Sequence, residues 1–273
     1  MVTPEYDANG AAGARQRLKA LDPRRWQNGR SPGLRRGAYL LPSLLTLGNM
    51  LCGYLAVLFA IRGEVGTSAP LIAVAVVLDM LDGRVARLTG TATAFGVEFD
   101  SLADVISFGI APAVLVFMWG LQPLHRLGWA AGFIFLSAAA LRLARFNIQT
   151  TKSADKRYFV GMPSPAAAAV PVSTVYFYQP GFQDARWALI ALAVTVAPAL
   201  LMVSTIRFNS FKTIDNPQRR SYKVLALSAL VLAVILLHPS IVLLVLAYTY
   251  MLSGPAGLLW ARFKRRGAPT PSR

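Results

Sequence analysis

The chain has 273 residues, of which 55% are hydrophobic and only 15% are charged, with a net charge of +16. Soluble domains carry nearer a quarter charged residues, so the composition argues against a soluble protein. It favours a helical membrane protein whose apolar runs reach the roughly 20 residues that cross a bilayer. The lysines and arginines lie between and beside these runs rather than along one face, which argues against nucleic-acid binding and is typical of topology signals and contacts with anionic lipid.

The first element along the chain is a basic segment, residues 1–38, which lacks the apolar core of a signal peptide. Pro23 and Pro32 limit its second half to at most a short surface helix. The single cysteine, Cys52, precludes an intramolecular disulfide. Eight apolar spans are then predicted, at residues 40–61, 68–88, 96–118, 127–147, 164–180, 185–206, 222–238 and 240–260.

The distribution of basic residues predicts the topology. If the N-terminus is cytoplasmic, the only basic residues in the external connections are Arg62, Arg126 and Arg186. The cytoplasmic segments hold the other basic residues. We therefore expect a multi-pass, all-α protein of the plasma (inner) membrane with both termini in the cytoplasm. The expected parts are a basic N-terminal segment, a six-helix catalytic membrane domain, two additional C-terminal helices and a cytoplasmic tail, at residues 1–38, 39–210, 211–262 and 263–273.

Residues 78–105, "LDMLDGRVARLTGTATAFGVEFDSLADV", concentrate acidic side chains in an otherwise apolar region. They hold five of the twelve acidic residues, Asp79, Asp82, Glu98, Asp100 and Asp104. Charged groups in hydrocarbon cost several kcal/mol each and indicate a functional site. The spacings i, i+3 and i, i+4 place each aspartate pair on one helix face. The short Gly- and Thr-rich connection predicts two antiparallel neighbours whose four aspartates face one cytoplasmic cavity, with Glu98 nearer its mouth.

Four carboxylates this close require protons or cations for charge compensation. Two divalent cations would neutralise them, and an all-oxygen ligand set selects Mg²⁺ or Mn²⁺. Zinc is disfavoured because His125 and His238 fall in external loops. Paired metal ions are a known solution for phosphoryl transfer.

The small residues in the same stretch fit a phosphate site. Gly83 and Gly96 would let a phosphate or nucleotide approach the backbone, although close helix packing through small residues is the alternative. Arg87 could pair with a phosphate or extend to the membrane interface.

From Asp79, the stretch reads D-x-x-D-G-x-x-A-R. After a further eight residues it continues as G-x-x-x-D-x-x-x-D. This pattern resembles the signature of the CDP-alcohol phosphatidyltransferases. Within that family the chain resembles the membrane-embedded bacterial phosphatidylserine synthases. Ser43 departs from the asparagine expected after the proline. The segments that carry the closer resemblance are "LPSLLTLGNMLCGYLAV", "SLADVISFGIAPA", "LRLARFN" and "FVGMPSPAAA".

The resemblance implies transfer of a phosphatidyl group from CDP-diacylglycerol to L-serine, with release of CMP, by a homodimer that uses two divalent ions, Mg²⁺ or Mn²⁺. It implies that Asp104 is the general base. The implied metal ligands are Asp79, Asp82, Asp100 and Asp104. The implied contacts to CDP-diacylglycerol are Gly83, Arg87, Thr93 and Thr46. The implied contacts to serine or phosphate are Ser107, Phe108, Gly109, Arg142 and Arg145, of which the two arginines also fit simple positive-inside anchoring.

Two other functions are compatible with parts of the pattern. A sister enzyme would use glycerol phosphate, inositol phosphate or choline as the acceptor. A phosphorylated acceptor would require basic residues in the pocket, and "SLADVISFGIAPA" contains none. A cation- or proton-coupled transporter also uses carboxylates within the membrane, but it predicts transport without CMP release and leaves the glycine and arginine spacing unexplained.

Overall fold

The computed structural model describes residues 32–91, 93–151, 158–209 and 237–266, which are almost entirely helical. The helices are α1 (Pro32–Ile61), α2 (Val65–Thr89), α3 (Ala94–Asp104), α4 (Ala111–Val116), α5 (Arg126–Thr151), α6 (Ser164–Phe177), α7 (Ala185–Val203) and α8 (Pro239–Arg266). Two short strands, β1 (Tyr158–Val160) and β2 (Arg207–Asn209), pair antiparallel with Phe159 opposite Phe208. The all-helical class expected from the sequence is therefore confirmed apart from this small ribbon.

Six helical segments in the described part of the chain are long and apolar enough to cross a membrane. They are residues 41–61, 65–89, 94–124, 126–148, 185–203 and 239–258. Helix α6 has 14 residues, so it is about 21 Å long at 1.5 Å per residue, which is shorter than the roughly 30 Å hydrocarbon core. The predicted span at 222–238 lies outside the described residues except for its last two. The count of eight spans and the cytoplasmic termini remain predictions.

The start of α1 differs from the expectation that residues 15–38 form at most a short surface helix. The helix begins at Pro32 and continues without interruption to Ile61. Proline is compatible with the first helical position, because its fixed φ suits the helix and its missing N–H would lack an intrahelical partner there. Pro32 therefore starts the first long helix and does not prevent it.

Helix α1 has two faces with different environments. Side chains spaced three or four residues apart form a buried stripe and an exposed apolar stripe, as an amphipathic helix requires. The buried stripe, which packs toward α2 and the third span, is Thr46, Asn49, Gly53, Ala56 and Ala60. The exposed stripe, which suits contact with lipid, is Leu44, Leu47, Leu51, Tyr54 and Leu58. Thr46 and Asn49 are thereby directed into the protein.

The third span is one continuous helical rod from Ala94 to Leu124, widened in two places. π-Helical turns occupy Val105–Ile110 and Phe117–Leu121, and each is followed within two residues by a proline, Pro112 or Pro123. A proline inside a helix lacks a donor, and its ring clashes with the carbonyl four residues earlier. A π-turn is one way to accommodate this without ending the helix. The first widening begins directly after Asp104.

The C-terminal helix α8 is attached to the helices that form the catalytic region predicted from the sequence. It packs against α6, and the hydroxyl groups of Thr174 and Tyr248 are 2.9 Å apart across that contact. Helix α6 in turn fills the centre of the protein with small side chains such as Ala167 and Ala168, which are fully buried.

Candidate active site

Three of the predicted carboxylates converge between α2 and α3. Asp79 and Asp82 of α2 and Asp100 of α3 each offer a carboxylate oxygen, and these oxygens all lie within 4.8 Å of one another. Asp82 is buried, whereas Asp79 and Asp100 are half-buried. Asp104 lies outside this group of three but is close enough to interact electrostatically with each of them. We refer to Asp79, Asp82 and Asp100 as the carboxylate cluster.

Two polar side chains of α1 hold the carboxylates in place. Thr46 Oγ1 lies 3.0 Å from Asp82 Oδ2, to which it donates, and 3.1 Å from the carbonyl oxygen of Pro42. One turn further along, Asn49 Nδ2 donates to Asp104 Oδ1 at 3.3 Å. Because α1 packs against both α2 and α3, it sets the positions of carboxylates from both helices.

The donor set of the cluster fits a hard divalent cation. Asp100 Oδ1 is buried and has no hydrogen-bond partner among the described residues, which is uncommon for a buried polar atom. Three carboxylates with an unpartnered oxygen provide the all-oxygen environment that Mg²⁺ and Mn²⁺ prefer. The two histidines, His125 and His238, are both exposed and lie outside the cluster. The side chains present could therefore bind a metal ion, and they do not resemble a zinc site.

Gly83 leaves open space beside Asp82. A Cβ added there would meet no described atom closer than Arg87 Nη2, at 3.8 Å. Close packing against another helix therefore does not explain this glycine. Arg87 is exposed, and its guanidinium is close enough to interact electrostatically with Asp82. The bare backbone at Gly83 and the guanidinium together border a space that could admit a phosphate.

Gly96 lies against the N-terminal cap of α3, where an added Cβ would be only 3.2 Å from Thr93 Oγ1. Thr93 is the N-cap residue of α3, and its Oγ1 accepts a hydrogen bond from the Gly96 N–H at 3.0 Å. Such a cap satisfies one of the unpaired donors at the start of a helix. The Thr93 side chain therefore stabilises the start of α3, the helix that carries Asp100 and Asp104.

The two candidate arginines of α5 lie in different environments. Arg142 is half-buried, and its Nη1 donates to Ser164 Oγ at 3.1 Å while its guanidinium lies 5.4 Å from the ring centre of Phe146. It is close enough to interact electrostatically with Asp104 and Asp79. Arg145 is exposed, as an interfacial anchor would be. The structure therefore brings Arg142, but not Arg145, to the site.

The three residues after Asp104 that were predicted to contact serine also lie in different environments. Ser107 is buried and donates through Oγ to the backbone carbonyl of Asn49 at 2.9 Å, so it lies beside the carboxylates. Phe108 is part of the hydrophobic core, and a Cβ on Gly109 would lie 3.0 Å from Leu136 Cδ1. The observed contacts of Phe108 and Gly109 are packing contacts, and their role in acceptor binding stays a prediction without structural support.

Two residues of the site were not predicted from the sequence. Asn49 follows Thr46 by three residues in an otherwise apolar span, and this spacing places both on one helix face. Ser164, the partner of Arg142, lies within the segment "FVGMPSPAAA". Glu98 is exposed and outside the cluster, in keeping with a position near the mouth.

The family relationship follows from comparison with known proteins. The model of the CDP-alcohol phosphatidyltransferase family matches residues 39–199, which include every residue of the carboxylate cluster. The chain belongs to this family. Membership and the six apolar helices together identify a multi-pass membrane protein.

Individual relatives in the family are similar over most of the chain. A CDP-diacylglycerol–serine O-phosphatidyltransferase of Helicobacter pylori (strain ATCC 700392 / 26695) is 36% identical over 217 residues, covering 79% of this chain and 90% of the relative. The Mycobacterium leprae (strain TN) protein of the same name is 33% identical over 219 residues, covering 78% and 72%. An archaetidylserine synthase of Methanothermobacter thermautotrophicus is 38% identical over 170 residues, covering 62% and 69%. All three relatives are named for serine chemistry.

Proposed function

We propose that this CDP-alcohol phosphatidyltransferase transfers the phosphatidyl group of CDP-diacylglycerol to L-serine, giving phosphatidylserine and CMP. The observation that carries the proposal is the convergence of three carboxylates within 4.8 Å beside a fourth, Asp104, that is held separately by Asn49. The named activities of the relatives supply the donor and the acceptor.

We assign two divalent cations, Mg²⁺ or Mn²⁺, to the carboxylates. Asp79, Asp82 and Asp100 would hold one ion, and Asp104 would contribute a ligand to the second. When bound, the ions offset negative charge on the diphosphate and on the departing CMP oxygen. The unpartnered Asp100 Oδ1 supports this assignment because it supplies a buried acceptor that the described residues leave unsatisfied.

The CDP part of the donor fits the open space beside Gly83. The absent side chain lets the diphosphate approach the backbone of α2, and the Arg87 guanidinium offers a charged hydrogen-bond donor to a phosphate oxygen. Thr46, which donates to Asp82, would help to enclose the donor, and Thr93, at the start of α3, would contact the nucleotide. The acyl chains would remain in the bilayer along the exposed apolar faces.

Asp104 is the proposed general base. Its Oδ1 accepts the Asn49 hydrogen bond, which leaves Oδ2 to take the proton from the serine hydroxyl. The serine oxygen then forms a bond to the lipid-side phosphorus, and the phosphorus–oxygen bond to CMP breaks. Arg142, which is near Asp104, would pair with the serine carboxylate and so direct the hydroxyl toward the base.

We further propose that the site faces the cytoplasm of the inner membrane and that the enzyme is a homodimer with the four parts at residues 1–38, 39–210, 211–262 and 263–273. The cytoplasmic assignment rests on the charge asymmetry of the predicted loops. A water-soluble acceptor and CMP would both exchange with that compartment. The dimer rests on family membership alone.

An acceptor panel tests the proposed function. The purified protein is mixed with CDP-diacylglycerol in detergent micelles and offered labelled L-serine, glycerol 3-phosphate, inositol phosphate or choline. We expect labelled lipid and an equal amount of CMP from serine alone. Incorporation of one of the other alcohols with little or none from serine would replace the proposed acceptor.

A further inference from the structure

We propose that Asn49 Oδ1 accepts a hydrogen bond from the α-ammonium group of the acceptor serine, which makes Asn49 a specificity residue for amine-bearing alcohols. The inference rests on the proposed function. It assigns to Asn49 a role that was not predicted from the sequence.

The side chain of Asn49 is fixed beside the proposed base. It is 0% exposed, and Nδ2 donates to Asp104 Oδ1 at 3.3 Å. Nδ2 and Oδ1 are bonded to the same carbon atom. The amide oxygen therefore lies within a few ångströms of the proposed base.

The amide oxygen has no donor within the described protein. Asn49 Oδ1 is buried without a hydrogen-bond partner among the described residues, although buried polar atoms are usually paired. The backbone around it cannot easily shift to supply one. The Asn49 carbonyl accepts from Ser107 Oγ at 2.9 Å, and a Cβ on Gly53, one turn further along, would lie 2.8 Å from Ser107 Cα. The first and third spans are therefore in tight contact at this level.

An ammonium group is the ligand that best fits this oxygen. Asp104 lies outside the group of carboxylates that approach one another within 4.8 Å, and it is the proposed base for the acceptor hydroxyl. In serine the amine and the hydroxyl are carried on adjacent carbons, which lets one molecule reach Asn49 and Asp104 together. The ammonium supplies three N–H donors, and a bond from a charged donor is stronger than a neutral one.

This contact also predicts that the other alcohols are poor acceptors. Glycerol phosphate and inositol phosphate have no amine, and the trimethylammonium of choline has no N–H to donate. Each would leave Asn49 Oδ1 unpaired in the complex. With Arg142 on the carboxylate and Asp104 on the hydroxyl, all three polar groups of serine would have a partner.

The test compares serine with 3-hydroxypropanoate, which has the same carboxylate and hydroxyl but no amine. The measured quantity is the ratio of kcat/KM for the two acceptors. In Asn49→Leu, which is similar in size but cannot form the bond, we expect the preference for serine to fall about 10- to 100-fold. Asn49→Asp keeps a side-chain acceptor but loses the donor to Asp104, so activity should fall with both acceptors while the preference for serine is retained. Thr195→Val, which removes a buried hydroxyl bonded to the Ala191 carbonyl at 2.7 Å, is the matched control and should leave the ratio unchanged.

The ratio separates this role from a merely structural one. If Asn49 only positions Asp104, both acceptors lose the same factor in Asn49→Leu, and the unchanged ratio overturns the inference. Weakened Mn²⁺ binding together with an unchanged ratio would likewise overturn it in favour of a metal ligand. If Asn49→Leu does not fold, Asn49→Ala gives the same comparison. If the wild-type protein makes no lipid from serine, the proposed function itself is refuted. An active enzyme whose ratio is unchanged in Asn49→Leu refutes only the role of Asn49.

Discussion

The hydroxyl of Thr46 lies 3.0 Å from Asp82 Oδ2 and connects the first span to the aspartate pair of the second. Thr46 is 5% exposed and Asp82 is 3% exposed, so water hardly competes for this bond. Residues that hydrogen-bond to metal ligands fix the orientation of those ligands. Helix α1 is therefore part of the proposed catalytic site even though the acidic motif lies on α2 and α3.

Replacing Thr46 by valine should weaken metal binding while preserving the fold. Valine keeps the branched shape but cannot donate to Asp82, so we expect Mn²⁺ affinity to fall about 10- to 100-fold. Titration of the purified protein with Mn²⁺ measures this directly. Thr195→Val, a buried threonine that bonds only within its own helix, is the control. Wild-type Mn²⁺ affinity in Thr46→Val would show that the bond does not orient a metal ligand.

Substitution of Gly83 by alanine should weaken binding of CDP-diacylglycerol without lowering the stability of the fold. Alanine in a helix interior is favoured over glycine by up to about 1 kcal/mol, and the nearest described atom to the new Cβ is 3.8 Å away, so the folded protein should be no less stable. The methyl group would occupy the space proposed for the diphosphate, and the KM for CDP-diacylglycerol should rise.

The control for this prediction is Gly257→Ala in α8, where an added Cβ meets no described atom within 4 Å. It should retain full activity and equal or higher thermal stability. An unchanged KM for CDP-diacylglycerol in Gly83→Ala would mean that the donor does not approach the backbone at this point.

The two arginines of α5 provide a matched pair. Arg142 is half-buried near Asp104, and Arg145 is exposed. We expect Arg142→Ala to raise the KM for serine about 10- to 100-fold, because a charge-assisted bond to the serine carboxylate is lost. The KM for CDP-diacylglycerol should change much less, and Arg145→Ala should have a small effect on both. Equal increases in the two KM values for Arg142→Ala would indicate a phosphate contact or a structural role instead.

Much of the site could be predicted from residue spacing alone. The intervals from Asp79 to Asp82 and from Asp100 to Asp104 are properties of single helices, and they dictate which side chains share a face. The short connection between the helices then restricts how the faces can meet. The convergence of Asp79, Asp82 and Asp100 follows from these local rules.

The contacts of α1 could not be obtained in this way. Which residue of α1 meets Asp82 or Asp104 depends on the axial position of the first span against its neighbours, and close approaches such as Gly53 against Ser107 set that position. The π-turn after Asp104 has a similar origin, because Pro112 acts on the backbone four residues earlier. This π-turn alters which side chains beyond Asp104 point toward the site. The expectations for Phe108 and Gly109 assumed a regular α-helix.

Removal of divalent cations should abolish activity reversibly. The carboxylate cluster offers only oxygen ligands, so excess chelator should reduce CMP release to background, and added Mg²⁺ or Mn²⁺ should restore it. The protein should remain folded in chelator, which thermal unfolding in detergent can verify. Full activity in excess chelator would rule out metal-dependent chemistry at this site.

The most direct measurement of the central claim is the transfer of labelled serine into lipid by the wild-type protein and by Asp104→Asn, with CMP quantified in the same samples. The asparagine can still accept the hydrogen bond from Asn49, so the variant should fold with wild-type thermal stability. Loss of a general base lowers turnover by about 100- to 10 000-fold. We predict equal amounts of phosphatidylserine and CMP from the wild type and a loss of this size in the variant. Normal serine incorporation by Asp104→Asn, or CMP release without serine-containing lipid, would contradict the account.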